Sequence, residues 1–258
     1  CGSRGTNLFG LMKKVDASPT DMEILNELMP SVNRRVISQD VQTNTKVFLP
    51  NEYTPLWIPD QKNFFWKTCI KYLESRNISL HDIVKYNIGY CSTGQFENMI
   101  IFPNYNKDGE LNYFTTRSFI KQSKSKFKNP YSSRDVIGFE MQVNYNLPII
   151  LVESALDAIV IKRNACPLYG TIILPSLKEW ILDHEIKDIY LCLDNDALKK
   201  SISHAEYLMG HGVNVYFVEL PEGGDPNKLG YTKIWELINK AEKLDNNKLF
   251  KFKILSTI

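Results

Sequence analysis

Ile149-Ile150-Leu151-Val152-Glu153-Ser154-Ala155-Leu156-Asp157-Ala158 is the stretch that decides the fold. Four consecutive apolar, mostly β-branched residues are too few for a helix and are followed at once by an acidic residue and a helical pattern over 155–163. A strand buried on both faces reads as such a continuous run. The alternation goes on downstream. Residues 171–174 precede a helical pattern at 177–184, and 189–193 precede one at 197–210. Residues 213–218 lead through a Gly/Pro loop to a helical pattern at 232–244. Strands alternating with helices of about ten residues predict βαβ crossovers and a mostly parallel sheet with helices on both faces.

Ligands of open parallel sheets collect at the carboxyl ends of the strands. Three such ends carry acids here. Val152 runs into Glu153, with Asp157 one helical turn later; Leu193 runs into Asp194-Asn195-Asp196; and 213–218 leads to Gly223-Gly224-Asp225-Pro226-Asn227. Asp194 and Asp196, two residues apart in an extended segment, point to one side and can share a divalent ion. Glu153 on another strand end can face them as ligand or general base. Oxygen donors without His or Cys nearby favour Mg²⁺ or Mn²⁺ over zinc. A magnesium ion on carboxylates and water serves phosphoryl and nucleotidyl transfer. Each piece has a plain structural reading as well. Glu153 and Asp157 suit a helix N-terminus, Ser154 suits a helix cap, and Asp225-Pro226 suits a turn.

The bulk numbers agree with a folded, mixed protein and exclude several classes. The 258 residues are 43% hydrophobic and 12% aromatic, enough for real cores and against disorder as the main state. Lys plus Arg number 31 against 29 Asp plus Glu, a net charge of +2, so the chain is neither a polycation nor an acidic tail. No run reaches the roughly 20 apolar residues of a membrane span, and no basic-then-apolar leader is present. A cytoplasmic location is expected, that of the bacterial host if the protein is phage-encoded, with no membrane partner. The five cysteines, Cys1, Cys69, Cys91, Cys166 and Cys192, show no CxxC spacing, which gives neither a disulfide framework nor a local zinc site.

The first half reads differently. Helical spacing covers 21–35 and 63–76, with a polar, proline-bearing stretch at 38–60 between them. Ser79 caps a short helix ending near Tyr86. Residues 99–103 and 111–119 are β-rich and flank Asn106-Lys107-Asp108-Gly109, a hairpin signal. This mixed half joins the α/β half near Tyr145. Between Phe114 and Arg134 stand Arg117, Lys121, Lys124, Lys126, Lys128 and Arg134 without an acid, interleaved with Phe119, Phe127 and Tyr131. Such a run is usually a solvated face, but aromatics among cations can also stack bases while the cations hold phosphates.

Val152-Glu153-Ser154-Ala155-Leu156-Asp157-Ala158, Leu193-Asp194-Asn195-Asp196 and Gly224-Asp225-Pro226-Asn227 together resemble the signature of a TOPRIM domain, shared by bacterial-type primases, topoisomerases and related nucleases. The resemblance implies a glutamate acting as general base or ligand and aspartates holding catalytic magnesium. Two departures stand out. Ser154 replaces the usual glycine, and Gly224 and Asn227 replace the lysine and second aspartate of a Lys-Asp-Pro-Asp motif. Asn227 brings one charge fewer to a second metal.

Upstream, Tyr72-Leu73-Glu74-Ser75-Arg76-Asn77-Ile78, Tyr86-Asn87-Ile88-Gly89-Tyr90, Asn98-Met99-Ile100-Ile101-Phe102-Pro103 and Lys126-Phe127-Lys128-Asn129-Pro130 resemble the catalytic core of phage and bacterial-type DNA primases over roughly 63–230. Cys1-Gly2-Ser3-Arg4-Gly5 resembles the last knuckle of the zinc ribbon that precedes that core. The resemblance implies a primase cut at its last zinc ligand, Cys1, with structural Zn²⁺ only in a longer protein. It implies a zinc-ribbon remnant at 1–14, a helix and linker at 15–60, an N-terminal core subdomain at 61–146, a TOPRIM domain at 147–230, and a C-terminal helix and tail at 231–258.

The expected activity is Mg²⁺- or Mn²⁺-dependent synthesis of short RNA primers on single-stranded DNA, with NTPs and a replicative helicase, fused or separate, as partners. Glu153, Asp194 and Asp196 are the expected catalytic residues, joined as metal ligands by Asp157 and Asp225. Arg117, Lys126 and Lys128 are expected on nucleotide or template phosphates. The rivals are a TOPRIM nuclease or strand-transfer enzyme, and a catalytically degenerate module that binds single-stranded DNA.

Overall fold

The computed structural model describes residues 46–120, 123, 125–194, 198–221 and 223–255. The expectations placed on Cys1, on the helix at 21–35, and on Lys121, Lys124 and Asp196 lie outside the described residues.

The first half supplies an antiparallel sheet, β1 (Thr54–Pro55), β2 (Gly89–Cys91), β3 (Met99–Tyr105) and β4 (Leu111–Ser118), paired in that order. The β3–β4 hairpin turns at the Asn106–Gly109 signal, where Gly109 has φ 77°, a conformation that favours glycine. Helix α1 (Phe64–Glu74) begins at Asn63, whose side chain accepts the Phe65 and Trp66 N–H groups, and it buries Cys69, Ile70 and Leu73. Helix α2 (Leu80–Lys85) opens with a capping box between Ser79 and Asp82.

The second half is the expected parallel sheet. Its strands are β5 (Ile149–Val152), β6 (Ala165–Pro167), β7 (Asp188–Cys192) and β8 (Asn214–Phe217), ordered β6-β5-β7-β8. Every residue of β5 is buried, as a strand with both faces covered requires. From β5 the chain runs through α3 (Ala155–Ile161) to β6 on one side. It then returns through α4 (Pro175–Asp183) to β7 on the other side, and α5 (Leu198–Gly210) leads on to β8. The winding reverses between β5 and β7, so the crevice of this sheet opens at their carboxyl ends.

Three elements differ from expectation. The second strand is Ala165–Pro167 rather than 171–174: Cys166 pairs with Leu151, while Thr171 is held by its carbonyl on His204 Nε2 at 2.9 Å and Ile172 is exposed. Helix α6 spans Pro226–Lys240 and so starts six residues before the expected 232; Asp225 caps it and Pro226 sits in its first turn. Gly230, at φ 77° and ψ 169°, kinks α6 and hides its first turn from a periodicity argument. The tail forms α7 (Asn246–Leu255), with Phe252 packed edge-on against Phe217.

The two halves share one core. Leu73, Ile78, Tyr86, Phe102 and Tyr113 of the first pack with Val152, Ala155, Ala158 and Ile159 of the second. Buried Asn104 locks the seam: its Oδ1 accepts Tyr169 O–H at 2.8 Å and Phe139 N–H at 2.5 Å, and its Nδ2 donates to Ile137 O at 3.0 Å. Lys162 adds an ion pair to buried Asp82 at 3.1 Å. Cys69, Cys91, Cys166 and Cys192 are buried free thiols. Among the described residues no helix is long and apolar enough to cross a membrane.

Candidate active site

Because Val152 and Cys192 pair across β5 and β7, the residues that follow them emerge side by side. The Asp194 backbone N–H donates to Glu153 Oε1 at 3.1 Å, and both residues are partly exposed. Ser154 follows with φ −125° and ψ 160°, extended backbone that any residue adopts, so a serine fits where glycine is usual. Its hydroxyl caps α3 by accepting the Asp157 N–H at 3.3 Å and donates to Asp157 Oδ2 at 2.5 Å.

Asp157 is buried, and its other oxygen faces the start of α6. Asp157 Oδ1 accepts the Asn227 N–H at 3.2 Å and the Asn227 side-chain amide at 2.8 Å. The same amide also donates to Asp225 Oδ1, which accepts the Asn227 backbone N–H at 3.2 Å as well. Burial first, then the Asp225 carboxylate, push the Asp157 carboxyl up to about 7, against the Ser154 and Asn227 donors that pull it down. Burial also raises the Cys192 thiol beneath the site, helped by the negative charge of Asp157 and Asp194. Gly224 turns the loop before Asp225: its N–H donates to Pro221 O at 2.7 Å, and a Cβ there would stand 2.7 Å from that carbonyl oxygen. A lysine at this position needs a different loop.

Facing the acids are two arginines from the first half. Arg76 Nη1 donates to Asn227 Oδ1 at 3.0 Å, and its guanidinium lies over the Tyr72 ring, 5.4 Å from the centroid. Arg117 Nε donates to Tyr72 O–H at 3.1 Å, and Arg117 lies over the Phe127 ring at 4.7 Å. Tyr72 thus links the two guanidinium groups. A cleft of about 210 Å³ is lined by Arg76, Arg117, Phe127, Glu153, Ser154, Leu156, Asp157, Asp194, Asp225 and Asn227. A second cavity of about 290 Å³ adjoins it, sharing Arg117, Phe127, Glu153, Ser154 and Leu156 and adding Thr115, Asn129, Tyr169 and Gly170.

Of the residues expected from sequence, Glu153, Asp157, Asp194, Asp225 and Arg117 therefore line one cleft. Lys126 and Lys128 line neither cavity. Both are exposed on the arm beside β4, with Lys128 Nζ donating to Gln95 O at 3.3 Å. The arm itself is held in place, since Ser118 N–H donates to Lys126 O at 3.0 Å and Lys128 exchanges two hydrogen bonds with Thr116 Oγ1. Arg134 is turned away to Tyr169 O at 3.0 Å. Arg76, Tyr72 and Asn77 carried no charge-pattern signal, although they sit in a stretch that carries the primase resemblance. Asn77 Nδ2 donates to Asn227 O at 2.9 Å and so anchors the start of α6.

The donors at this crevice are carboxylate and amide oxygens, a set that suits a hard divalent cation rather than zinc. Among the described residues, no three His, Cys, Asp or Glu side chains converge closely enough to hold a metal by themselves. Glu153 and Asp194 are the acids of this set that meet at neighbouring strand ends.

No family model matches the chain. It is 26% identical over 175 residues to uncharacterized protein MG010 of Mycoplasma genitalium, covering 63% of this chain and 79% of that protein. It is 21% identical over 302 residues to a DNA primase of Legionella pneumophila, covering 95% of this chain. The chain spans about half, 52%, of the length of that primase. Among solved structures, the DnaG primase catalytic domain bound to ssDNA superimposes with a TM-score of 0.63 at 17% identity, covering 76% of this chain and 77% of that one. At these identities the likeness is one of fold: the described residues share the architecture of DnaG-type primase catalytic domains, a TOPRIM-type parallel sheet preceded by an antiparallel subdomain.

Proposed function

We propose that the chain is the catalytic core of a DNA primase, joining ribonucleotides on a single-stranded DNA template. The observation that carries this reading is the meeting of Glu153 and Asp194 at neighbouring parallel strand ends, in a cleft whose opposite wall is Arg76, Arg117 and Phe127. Carboxylates on one wall and guanidinium groups on the other are the two charges that nucleotidyl transfer needs. In that reaction a 3′-hydroxyl oxygen bonds to the α-phosphorus while the bond to pyrophosphate breaks and the hydroxyl proton leaves. In this reading Glu153 accepts that proton. Arg117, held in orientation by Tyr72, neutralises phosphate oxygens, and the exposed Phe127 ring offers a stacking face to a base. Magnesium would be held by Glu153 and Asp194 together with Asp196, and it would supply positive charge at the reacting phosphate. Lys126 and Lys128, outside the cleft, suit the template backbone. The likeness in fold to a primase domain that binds ssDNA supports the same assignment.

The test is dinucleotide synthesis from NTPs on a single-stranded template, with and without Mg²⁺. Synthesis that needs the cation and is lost in Asp194→Ala is the expected result. Synthesis untouched by that substitution removes Asp194 from the site, and strand breakage without NTPs assigns the cleft to a nuclease instead.

A further inference from the structure

Asn227 has an uncommon position. It stands between two aspartates at the start of α6, is buried to 4% exposure, and uses every polar group it has. Its side-chain amide gives hydrogens to Asp157 Oδ1 and Asp225 Oδ1, and its backbone N–H, at 3.2 Å from each, is shared by the same two oxygens. Its Oδ1 receives Arg76 Nη1 at 3.0 Å. These partners fix the orientation of the amide. Turned the other way, its NH₂ would face a guanidinium and its oxygen two carboxylates, repulsive on both sides.

Two carboxylates held this close must be neutralised, by a proton, by a cation, or by hydrogen-bond donors shared between them. We propose that Asn227 does at Asp157 and Asp225 what a second divalent cation would otherwise do, so that this chain carries one ion, at Glu153 and Asp194, instead of two. The inference rests on the metal-dependent reading above and adds the number of ions to it. Asp157 is closed off by burial and by its own bonds: Oδ1 accepts both Asn227 donors and Oδ2 accepts the Ser154 hydroxyl at 2.5 Å. Asp225 Oδ1 is filled likewise, and Lys228 Nζ lies 3.8 Å from its Oδ2. An aspartate at 227 would place a third carboxylate oxygen where the amide hydrogens now stand. Even with Arg76 and Lys228 as neighbouring cations, three carboxylates would leave negative charge uncompensated and so recruit a metal. Asn227 is thus a positioning residue, holding α6 and Asp157 in place through an amide that needs no ion.

Counting Mn²⁺ on the whole chain by calorimetry and by electron spin resonance tests this without any turnover. Wild type should bind one ion. Asn227→Asp should bind two, and adding Asp225→Asn to it should return the count to one. Two ions on wild type, or an unchanged count in Asn227→Asp, overturns the inference. Wild type that binds no Mn²⁺ is a different failure and removes the metal-dependent reading itself. If Asn227→Asp does not fold without cation, Asn227→Ala serves in its place. It should melt below wild type in chelator and recover most of the difference in Mn²⁺, whereas melting like wild type in chelator overturns the proposal.

Discussion

Glu153 with Asp194 and Asp157 with Asp225 are two acidic pairs lining one cleft, and their surroundings could hardly differ more. The first pair sits at the open ends of β5 and β7, partly exposed, joined by one backbone N–H. The second pair lies at the starts of α3 and α6, with Asp157 buried and its oxygens occupied by Ser154 and Asn227. Helix N-termini favour negative charge whatever the function, so the second pair satisfies the fold before it satisfies a ligand. Glu153 too precedes a helix start and accepts the Asp194 N–H, but it does so from a partly exposed strand end. The first pair's place, on either side of the winding reversal, is where the crevice of such a sheet opens.

The sharpest way to break this contrast is to remove one member of each pair. Asp194→Asn should lower primer synthesis by on the order of 10²–10³-fold while leaving the melting temperature near that of wild type. Asp157→Ala should act through the fold instead. It leaves one Asn227 Nδ2 hydrogen and the half-buried Ser154 hydroxyl without their acceptor, so unfolding by urea should show a loss of roughly 1–3 kcal/mol. If Asp194→Asn proves the destabilised variant and Asp157→Ala the inactive but stable one, the roles assigned to the pairs are reversed.

A pH series sharpens the same comparison. Asp157 is held up to about 7 from an ordinary 3.8 by burial and by Asp225. Between those values the folded chain keeps a proton that the unfolded chain has lost. The contribution is therefore fully present below about pH 4 and is lost as the pH rises through about 7. In chelator, stability should fall over that interval by an amount on the order of a few kcal/mol, and Asp157→Asn should flatten the slope. A wild-type slope of the opposite sign would contradict the burial of Asp157 in the cation-free protein.

On the opposite wall, Arg117→Ala and Phe127→Ala should raise the KM for nucleotide by about tenfold each, through lost charge-assisted bonds and lost stacking. Arg117→Lys should recover little, because a lysine cannot keep both the Tyr72 hydrogen bond and the fit over Phe127. Equal losses in kcat with unchanged KM would place both side chains at the reacting atoms rather than at the substrate's periphery.

How much of this was legible beforehand follows from the range of each interaction. Strands β5 and β7 and the acids after them are local features: an apolar run and the residue next to it lie within six positions of each other, and sequence shows them directly. The link from Arg76 to Asn227 spans 151 positions, and no periodicity carries it. Strand β6 was missed because Ala165-Cys166-Pro167 is short and ends in proline, whereas 171–174 offers two isoleucines that suit a strand better. Tertiary pairing with β5 decides between them. The first turn of α6 was missed although Asp225-Pro226 is a regular helix start, because Gly230 interrupts the pattern that would have extended back to it. What Ser154 does was visible as a cap, but that its hydroxyl also closes Asp157 depends on a side-chain contact that only the fold makes.

The smallest expected effects belong to Lys126 and Lys128, and they test where the site ends. The backbone of their arm is fixed to β4 through Thr116 and Ser118, so neutralising either side chain should leave the fold intact. Neither lysine lines the cleft, so the rate constant for joining two nucleotides should hardly change. A lysine on a template phosphate acts through the release of a counterion, which for single strands is worth about 0.7 in the slope of log affinity against log salt. Lys126→Ala should therefore weaken binding of single-stranded DNA a few-fold at low salt and lower that slope by about this amount. Lys128→Ala should do less, because Lys128 Nζ already donates to Gln95 O and its ammonium group is partly committed to the protein. A slope that stays put in both variants would take the arm out of the template path and leave Arg76 and Arg117 as the cations that meet nucleic acid.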